Sequence, residues 1–569
     1  MSGLGECGAV AAASNPYRQQ RGEGDDLRLD ANEGPVPAEL GGVLASISGR
    51  ALCRYPQVGE LEGLLAERFD VDPARVVVTA GASDALDRTC RAFLSAGSEL
   101  LVPTPTFGML RRYAELAGAR VREVEWWDEF PLDAFLEGLL PVTRLVGLIS
   151  PNNPTGLSLR AETLRRVAAA AQERPVLFDY VYGDFADEEL GSVALELTNV
   201  LLYGTFSKAW GLAGCRVGYV VAGEDAASAV RAAGGAYPVA SPSLALAAAQ
   251  LERGREGVSR YVTAVRRNRA RLSKALEGLG IASLPSQANF VLADCGSATD
   301  RLWRGMAALG VRVRRFDESG LENRLRISVP ASDTEFDRLE DALATCLAPD
   351  ALLFDLDGVL ADVENSYRRC VLETLASFGV RLRRDELQRE VAAGEASNDW
   401  DLVARILGQR NQDIPREEIV ATFQRIYLGS AGEGGLNRNE RLLVSARRLR
   451  SWAGRCPLGL VTGRPRAEAK AFLERFHIED LFAVTVTMED AAAKPDPAPM
   501  ALAMRGLGVE RAWMVGDTVD DIAAARAAGV MPLGVVAPGD DKTAASSALT
   551  SAGAACVLDA TRDLEGLLS

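Results

Sequence analysis

A chain of 569 residues is too long for one hydrophobic core, and with 48% apolar residues it is expected to fold as at least two domains. A formal net charge of −15 excludes a protein that follows nucleic acid or an anionic membrane surface by charge alone, so anionic small substrates need local positive sites. A single histidine, His477, cannot build both a Ser-His-Asp triad and a multi-histidine metal site. Its setting in RFHIEDLF reads as structural, which leaves the chemistry to Lys, Asp, Tyr, Arg and cofactors.

In chain order, residues 1–26 are expected to form a flexible tail without the basic start of a signal peptide, and no run reaches membrane-spanning length. The nine cysteines show no paired spacing, which fits reduced thiols in the cytoplasm. From 75 to 222, short β-branched runs (RVVVT, ELLVP, RLVGLIS, PVLFD, VLLYGTFS, CRVGYVVA) alternate with amphipathic stretches. That alternation predicts an α/β domain with a largely parallel sheet. Helical periodicity over 245–285, followed by ANFVLAD and RLRISV, predicts a smaller α+β lobe completed by the N-terminal segment.

A second α/β series begins at ALLFDLDG (351–358) after the short linker LAPD (347–350). Charged, helix-like sequence then runs to the next buried strand, LGLVTG, and reads as an inserted helical cap over about 362–450. Further strands are expected at AWMVGD and PLGVVA. The expected domains are therefore 27–347 and 351–569.

The chemistry of the first domain centres on Lys208. A buried strand leads through Thr205 and Ser207 to this lysine, and Arg216 lies eight positions on. An aldehyde cofactor needs an amine for a Schiff base, and its phosphate needs hydroxyls and a guanidinium. Asp179, closing PVLFD, can hold a pyridine nitrogen protonated and so turn the ring into an electron sink. Asn153 in SPNNPTG and Tyr182 can hydrogen-bond the ring oxygen. Gly81, Ala82 and Ser83 join a strand to a helix and present backbone N–H groups to a phosphate, while Phe107 can cover the ring face.

These segments resemble the fold-type-I aminotransferases, and specifically the histidinol-phosphate aminotransferase group. DANEGP, RYP, TAGASDAL, PNNPTG, FDYVY, TFSKAWGLAGCRVG, ANF and LRIS follow the family order across 28–330. The resemblance implies pyridoxal 5′-phosphate as cofactor and an amino donor or acceptor such as glutamate or 2-oxoglutarate. It makes Lys208 the Schiff-base lysine, pairs Asp179 with the pyridine nitrogen, and sets Asn153 and Tyr182 on the ring hydroxyl. Ala82, Ser83, Thr205, Ser207 and Arg216 surround the phosphate. Tyr55 reaches that phosphate from a second subunit, which implies a homodimer, and Arg326 grips the substrate's acidic group. Two departures stand out: Asp179-Tyr180-Val181-Tyr182 where the family often has Asp-Glu-Ala-Tyr, and Phe107 in place of a tyrosine, which keeps ring stacking and loses a phenol hydrogen bond.

In the second domain, Asp355 and Asp357 close one strand and Gly358 lets the chain turn. Such a pair suits covalent phosphoryl transfer, one carboxylate attacking phosphorus and the other handling the proton. Thr462, Lys494, Asp517 and Asp521 follow at later strand ends. A phosphate dianion facing these carboxylates needs a cation and a lysine, and oxygen-only ligands suit Mg²⁺. The four motifs resemble the haloacid-dehalogenase superfamily, with a cap like that of its small-molecule phosphatases. The resemblance implies Asp355 as nucleophile, Asp357 as acid/base, and Thr462 and Lys494 as holders of the phosphoryl group. It gathers Asp355, Asp357, Asp517 and Asp521 around Mg²⁺, Asp355 and Asp517 as ligands and Asp521 in support. Asp357 favours phosphatase over dehalogenase, since the dehalogenase branch lacks that second aspartate.

Joining the two activities would set a transaminase and a phosphatase, consecutive steps of histidine biosynthesis, on one chain acting on a small phosphorylated metabolite. The histidinol phosphatase of this superfamily is, however, capless and carries a zinc loop, whereas this chain has a cap. Two other readings stand beside the first: a decarboxylase of the threonine-phosphate type joined to a phosphatase, and a chain in which one half is a binding or dimerisation module.

Overall fold

The computed structural model describes residues 24–37, 40–392, 399–430 and 433–568. The expected tail therefore lies, up to residue 23, outside the described residues, as do 393–398 and 431–432 of the expected cap. The chain divides into two compact units, one built from 27–296 with 313–337, the other from 24–26 and 297–312 with everything described after 337. Among the described residues no helix is long and apolar enough to cross a membrane.

The first unit is built on a seven-stranded sheet in the order Val76–Thr79, Gly218–Val221, Val200–Thr205, Val176–Asp179, Thr143–Ile149, Glu99–Thr104, Arg120–Glu125. Only Gly218–Val221 runs against its neighbours. Val200–Thr205 and Val176–Asp179 are buried throughout, as their unbroken apolar runs require when helices cover both faces of a parallel sheet. Parallel pairing in register (Ile149 with Asp179, Asp179 with Tyr203) brings the carboxyl ends of three strands to one edge, where ligands of open α/β sheets bind. The smaller sheet holds Leu27–Leu29, Val311–Arg315, Arg324–Ser328, Phe290–Asp294 and Ala282–Ser283 in that order, so the N-terminal segment does complete the lobe. Long periodicity before it becomes the helices Ser241–Arg253 and Arg255–Gly278.

The second unit carries a six-stranded parallel sheet: Phe482–Val486, Leu458–Val461, Ala351–Phe354, Ala512–Gly516, Met531–Val535, Cys556–Leu558. Its first strand in sequence is central and fully buried, so whatever follows Phe354 emerges at the middle of the sheet's carboxyl edge. Helices Tyr367–Ser377, Arg384–Ala392, Asp399–Gln409 and Arg416–Leu428 make the helical insertion. His477 is exposed, in a left-handed backbone turn just past the helix Arg466–Arg475.

Within this unit, residues ahead of the linker cover the sheet. The buried Trp513 donates from its indole nitrogen to the Thr345 carbonyl at 2.5 Å and lies 5.6 Å from the Arg301 guanidinium. Arg301 in turn donates to the Cys346 carbonyl at 3.2 Å. At Gly305 a Cβ would stand 2.7 Å from Cys346 Sγ and 3.2 Å from Met531, so the helix Thr299–Ala308 approaches as closely as it does because no side chain intervenes.

Candidate functional site

At the carboxyl edge of the larger sheet of the first unit, Lys208 follows the strand Val200–Thr205 and its amine donates to the Ala31 carbonyl at 3.0 Å. That amine also sits 5.5 Å from the centre of the Tyr182 ring. The Tyr182 hydroxyl accepts from Asn32 Nδ2 at 3.0 Å, and Asn32 Oδ1 accepts from the Ser328 hydroxyl at 2.8 Å. Asn153, just past the strand Thr143–Ile149, accepts through Oδ1 from Arg326 Nη1 at 2.6 Å, while Arg326 Nη2 donates to the Asp30 carbonyl at 2.8 Å.

Asp179 is buried, with Oδ1 accepting from the Val181 N–H at 3.1 Å. Burial pushes its carboxyl up to about 6, against the pull of the Val181 N–H and of Lys208. A buried carboxyl in that state suits a cationic partner such as a protonated ring nitrogen. Opposite it, the helix Ala82–Phe93 opens at Gly81, whose φ of 82° and ψ of 166° belong to a region only glycine occupies comfortably. A Cβ there would lie 2.6 Å from Arg216 Nη2, so the guanidinium lies across the helix start. Arg216 Nη1 donates to the Ser207 hydroxyl at 3.4 Å, and the Ser207 N–H to the Thr205 hydroxyl at 3.1 Å. Helix start, hydroxyls and guanidinium form a phosphate-sized cradle of the kind pyridoxal phosphate needs.

A cavity of about 420 Å³ opens beside this site, lined by Phe107, Arg111, Arg112, Asn153, Arg314 and Arg326 among others. Arg314 stands opposite Arg326 on the paired strand. Of the residues singled out in the sequence, only Tyr55 lies apart: it is 73% exposed and stacked on Tyr237 at 4.3 Å. Sequence reading missed Asn32, which is 1% exposed and has a φ of 55°. Its place inside DANEGP was the available signal.

In the second unit, Lys494 Nζ bridges Asp355 Oδ1 at 2.8 Å and Asp521 Oδ1 at 2.5 Å. Asp355, Asp517 and Asp521 each offer an oxygen within 4.8 Å of the others, a donor set that fits a hard divalent cation. Burial, then Asp521 and Asp357, push Asp355 up to about 7 despite Lys494, and Asp517 is raised by burial and by its neighbours Asp521 and Asp355. Gly358, at φ 72°, is required by space as well as by conformation, since a Cβ would fall 2.2 Å from Asp517 Oδ2. Thr462 is buried and accepts from the Arg464 N–H at 3.2 Å.

Asp357 does not join the three carboxylates. It faces Arg464, whose Nε donates to its two oxygens at 2.8 and 3.1 Å. Arg368, from the helical insertion, donates to Asp540 at 2.6 Å and reaches within 3.7 Å of Asp517. Sequence reading singled out neither arginine. Arg464 stood two places after Thr462, in LVTGR, but its burial against Asp357 is visible only in the fold.

Residues 22–343 match the family of class I and II aminotransferases, and residues 349–529 the haloacid dehalogenase-like hydrolases. The chain is 32% identical over 338 residues to the histidinol-phosphate aminotransferase of Granulibacter bethesdensis, covering 57% of this chain and 90% of that one. It is 42% identical over 196 residues to the imidazoleglycerol-phosphate dehydratase of Phytophthora nicotianae. That match covers 33% of this chain and 43% of the relative, so the chain spans less than half of that protein's length. Among solved structures, histidinol-phosphate aminotransferase from Sinorhizobium meliloti in complex with pyridoxal-5′-phosphate aligns with 56% of this chain and 90% of its own, at 25% identity and a TM-score of 0.52.

Proposed function

The chain belongs to the class I and II aminotransferases and carries a haloacid dehalogenase-like hydrolase domain after that part, and from this premise we propose a bifunctional enzyme of histidine biosynthesis. The domain covering 27–347 transfers an amino group between histidinol phosphate and the glutamate/2-oxoglutarate pair. The domain covering 351–569 hydrolyses the phosphomonoester. The convergence of Lys208, Asp179, Tyr182 and Asn153 on one sheet edge carries the first half of the reading.

Pyridoxal phosphate, when bound, supplies the electron sink that stabilises a carbanion at the substrate's Cα. Lys208 Nζ is the base that moves the Cα proton. Asp179 holds the ring nitrogen protonated, and Asn32 fixes the Tyr182 hydroxyl. Arg326, held by Asn153 and the Asp30 carbonyl, takes the substrate's acidic group. Of the arginines of the neighbouring cavity, Arg111 pairs with Glu123, while Arg112 and Arg314, facing Glu115 and Glu318 in the same lining, favour a phosphorylated substrate over a plain amino acid.

In the hydrolase, an Asp355 oxygen attacks phosphorus and the ester P–O bond breaks. Asp357 gives its proton to the leaving oxygen, then removes one from the water that attacks the aspartyl phosphate, releasing inorganic phosphate and freeing Asp355. Lys494 and Thr462 hold the phosphoryl oxygens. Asp355 and Asp517, with Asp521 in support, would hold Mg²⁺, which would supply the charge that lets a dianion enter. A cytoplasmic homodimer completes the reading, supported by Tyr55, exposed and stacked on Tyr237 where a second subunit can reach it.

Purified protein given L-histidinol phosphate, 2-oxoglutarate, pyridoxal phosphate and Mg²⁺ should form glutamate and release phosphate. Lys208→Ala should abolish only the first and Asp355→Asn only the second. Carbon dioxide release without glutamate formation would replace the transaminase by a decarboxylase, and phosphate release untouched by Asp355→Asn would sink the hydrolase half.

A further inference from the structure

Arg464 takes no part in the chemistry above, yet its side chain is 1% exposed and every nitrogen of it is engaged. Besides the two Nε contacts to Asp357, Nη2 donates to Asp357 Oδ1 and to Glu440 Oε1 at 3.0 Å. Nη1 donates to the Tyr427 hydroxyl at 3.1 Å and to Glu440 Oε2 at 3.3 Å. The Tyr427 hydroxyl itself donates to Glu440 Oε1 at 3.0 Å, and the guanidinium carbon lies 4.4 Å over the Tyr367 ring. Burial works against the charge of Arg464, and Asp357, the two tyrosines and Glu440 more than restore it.

The partners divide by origin. Asp357 leaves the central strand of the sheet, whereas Tyr367 and Tyr427 stand on helices of the insertion and Glu440 follows it. The backbone of Arg464 is tied to the reaction edge, its N–H donating to Thr462 Oγ1 and its carbonyl accepting from the Met488 N–H at 3.3 Å. One planar fork thus fixes the rotamer of a carboxylate that is 30% exposed and otherwise free to swing toward solvent.

Resting on the phosphatase reading, we infer that Arg464 is a positioning residue that aims Asp357 at the leaving oxygen, with Tyr427 and Glu440 holding the far side of its guanidinium. As the Asp355–phosphorus bond forms, the ester P–O bond breaks, its electron pair stays on the leaving oxygen, and the proton of Asp357 goes to that oxygen. When one Asp357 oxygen bears this proton, the other still accepts from Arg464, so the aim is kept through both halves of the turnover.

In the first half of the turnover, which kcat/KM reports, a misaimed proton donor harms only substrates whose leaving group needs the proton. p-Nitrophenyl phosphate releases a stable anion without it; benzyl phosphate releases an alkoxide that requires it. Arg464→Lys and Glu440→Gln, assayed in the full chain with Mg²⁺, should lower kcat/KM for benzyl phosphate on the order of 100-fold and 10-fold. The kcat/KM for p-nitrophenyl phosphate should fall only a few-fold, which also certifies the fold of the variant. Equal losses on both substrates would make Arg464 a purely structural tie and overturn the inference. A rise in KM shared by both esters, with kcat unchanged, would overturn it as well, by making Arg464 a substrate contact. Failure of the parent reading looks different: the unmodified chain would release no phosphate from either ester.

Discussion

Asp179 shows what a buried carboxyl asks of its surroundings. Its ordinary value of 3.8 is pushed to about 6 by burial, so the fold disfavours its charged form when no cofactor is bound. The cost is absent below pH 3.8, grows as the pH rises toward 6, and is full above it, where it amounts to roughly 3 kcal/mol. Cofactor-free Asp179→Asn should therefore match the parent's thermal stability near pH 4 and exceed it near pH 7.5. Melting curves across that range test this, and a gap that stays constant with pH would show that Asp179 is not the titrating group. Gly358 poses the opposite demand, for emptiness: Gly358→Ala puts a methyl on Asp517 Oδ2 and should remove phosphatase activity by at least 100-fold while leaving amino transfer intact.

At the scale of elements, the start of the helix Ala82–Phe93 is where conformation and ligand chemistry meet. Gly81→Ala would strain φ and press on Arg216, and should weaken pyridoxal phosphate binding about tenfold, near 1.4 kcal/mol, as read by cofactor titration in absorbance. Elements such as this were legible because a buried parallel strand spells itself as an unbroken apolar run with small residues at its exit, as VLLYGTFS and ALLFDLDG do. Edge strands with a wet face were not, unlike Val76–Thr79, an edge strand whose apolar run is buried throughout. Arg120–Glu125, RVREVE, mixes charged and apolar residues without a clean period because it has one neighbour and a half-wet face, and Phe482–Val486 and Cys556–Leu558 flank the second sheet in the same way. The site divides likewise. Lys208, Asp179 and Asp355 sit in dense local motifs that name their chemistry; Asn32 and Arg464 stand in DANEGP and LVTGR, but their roles come from partners far along the chain, Asn32 at a separation of 150 residues from Tyr182. No local pattern encodes such a contact.

For the whole molecule, the motifs change over at LAPD, but the second compact unit already includes 297–312 and 338–347. Trp513 and Met531 lean on those segments through Thr345, Arg301, Cys346 and the bare face of Gly305. A fragment of residues 351–569 would wet one face of Trp513 and leave its indole N–H without the Thr345 carbonyl, a loss on the order of 3 kcal/mol. The p-nitrophenyl phosphatase activity of that fragment should then be lost on heating roughly 10 °C below that of the full chain. A fragment beginning at residue 338 regains Thr345 and Cys346 but not Arg301 or Gly305, and should fall between the two. Inactivation of all three at one temperature would mean that the hydrolase needs nothing ahead of the linker; the expected ladder would mean that the fusion is built into the hydrolase's core.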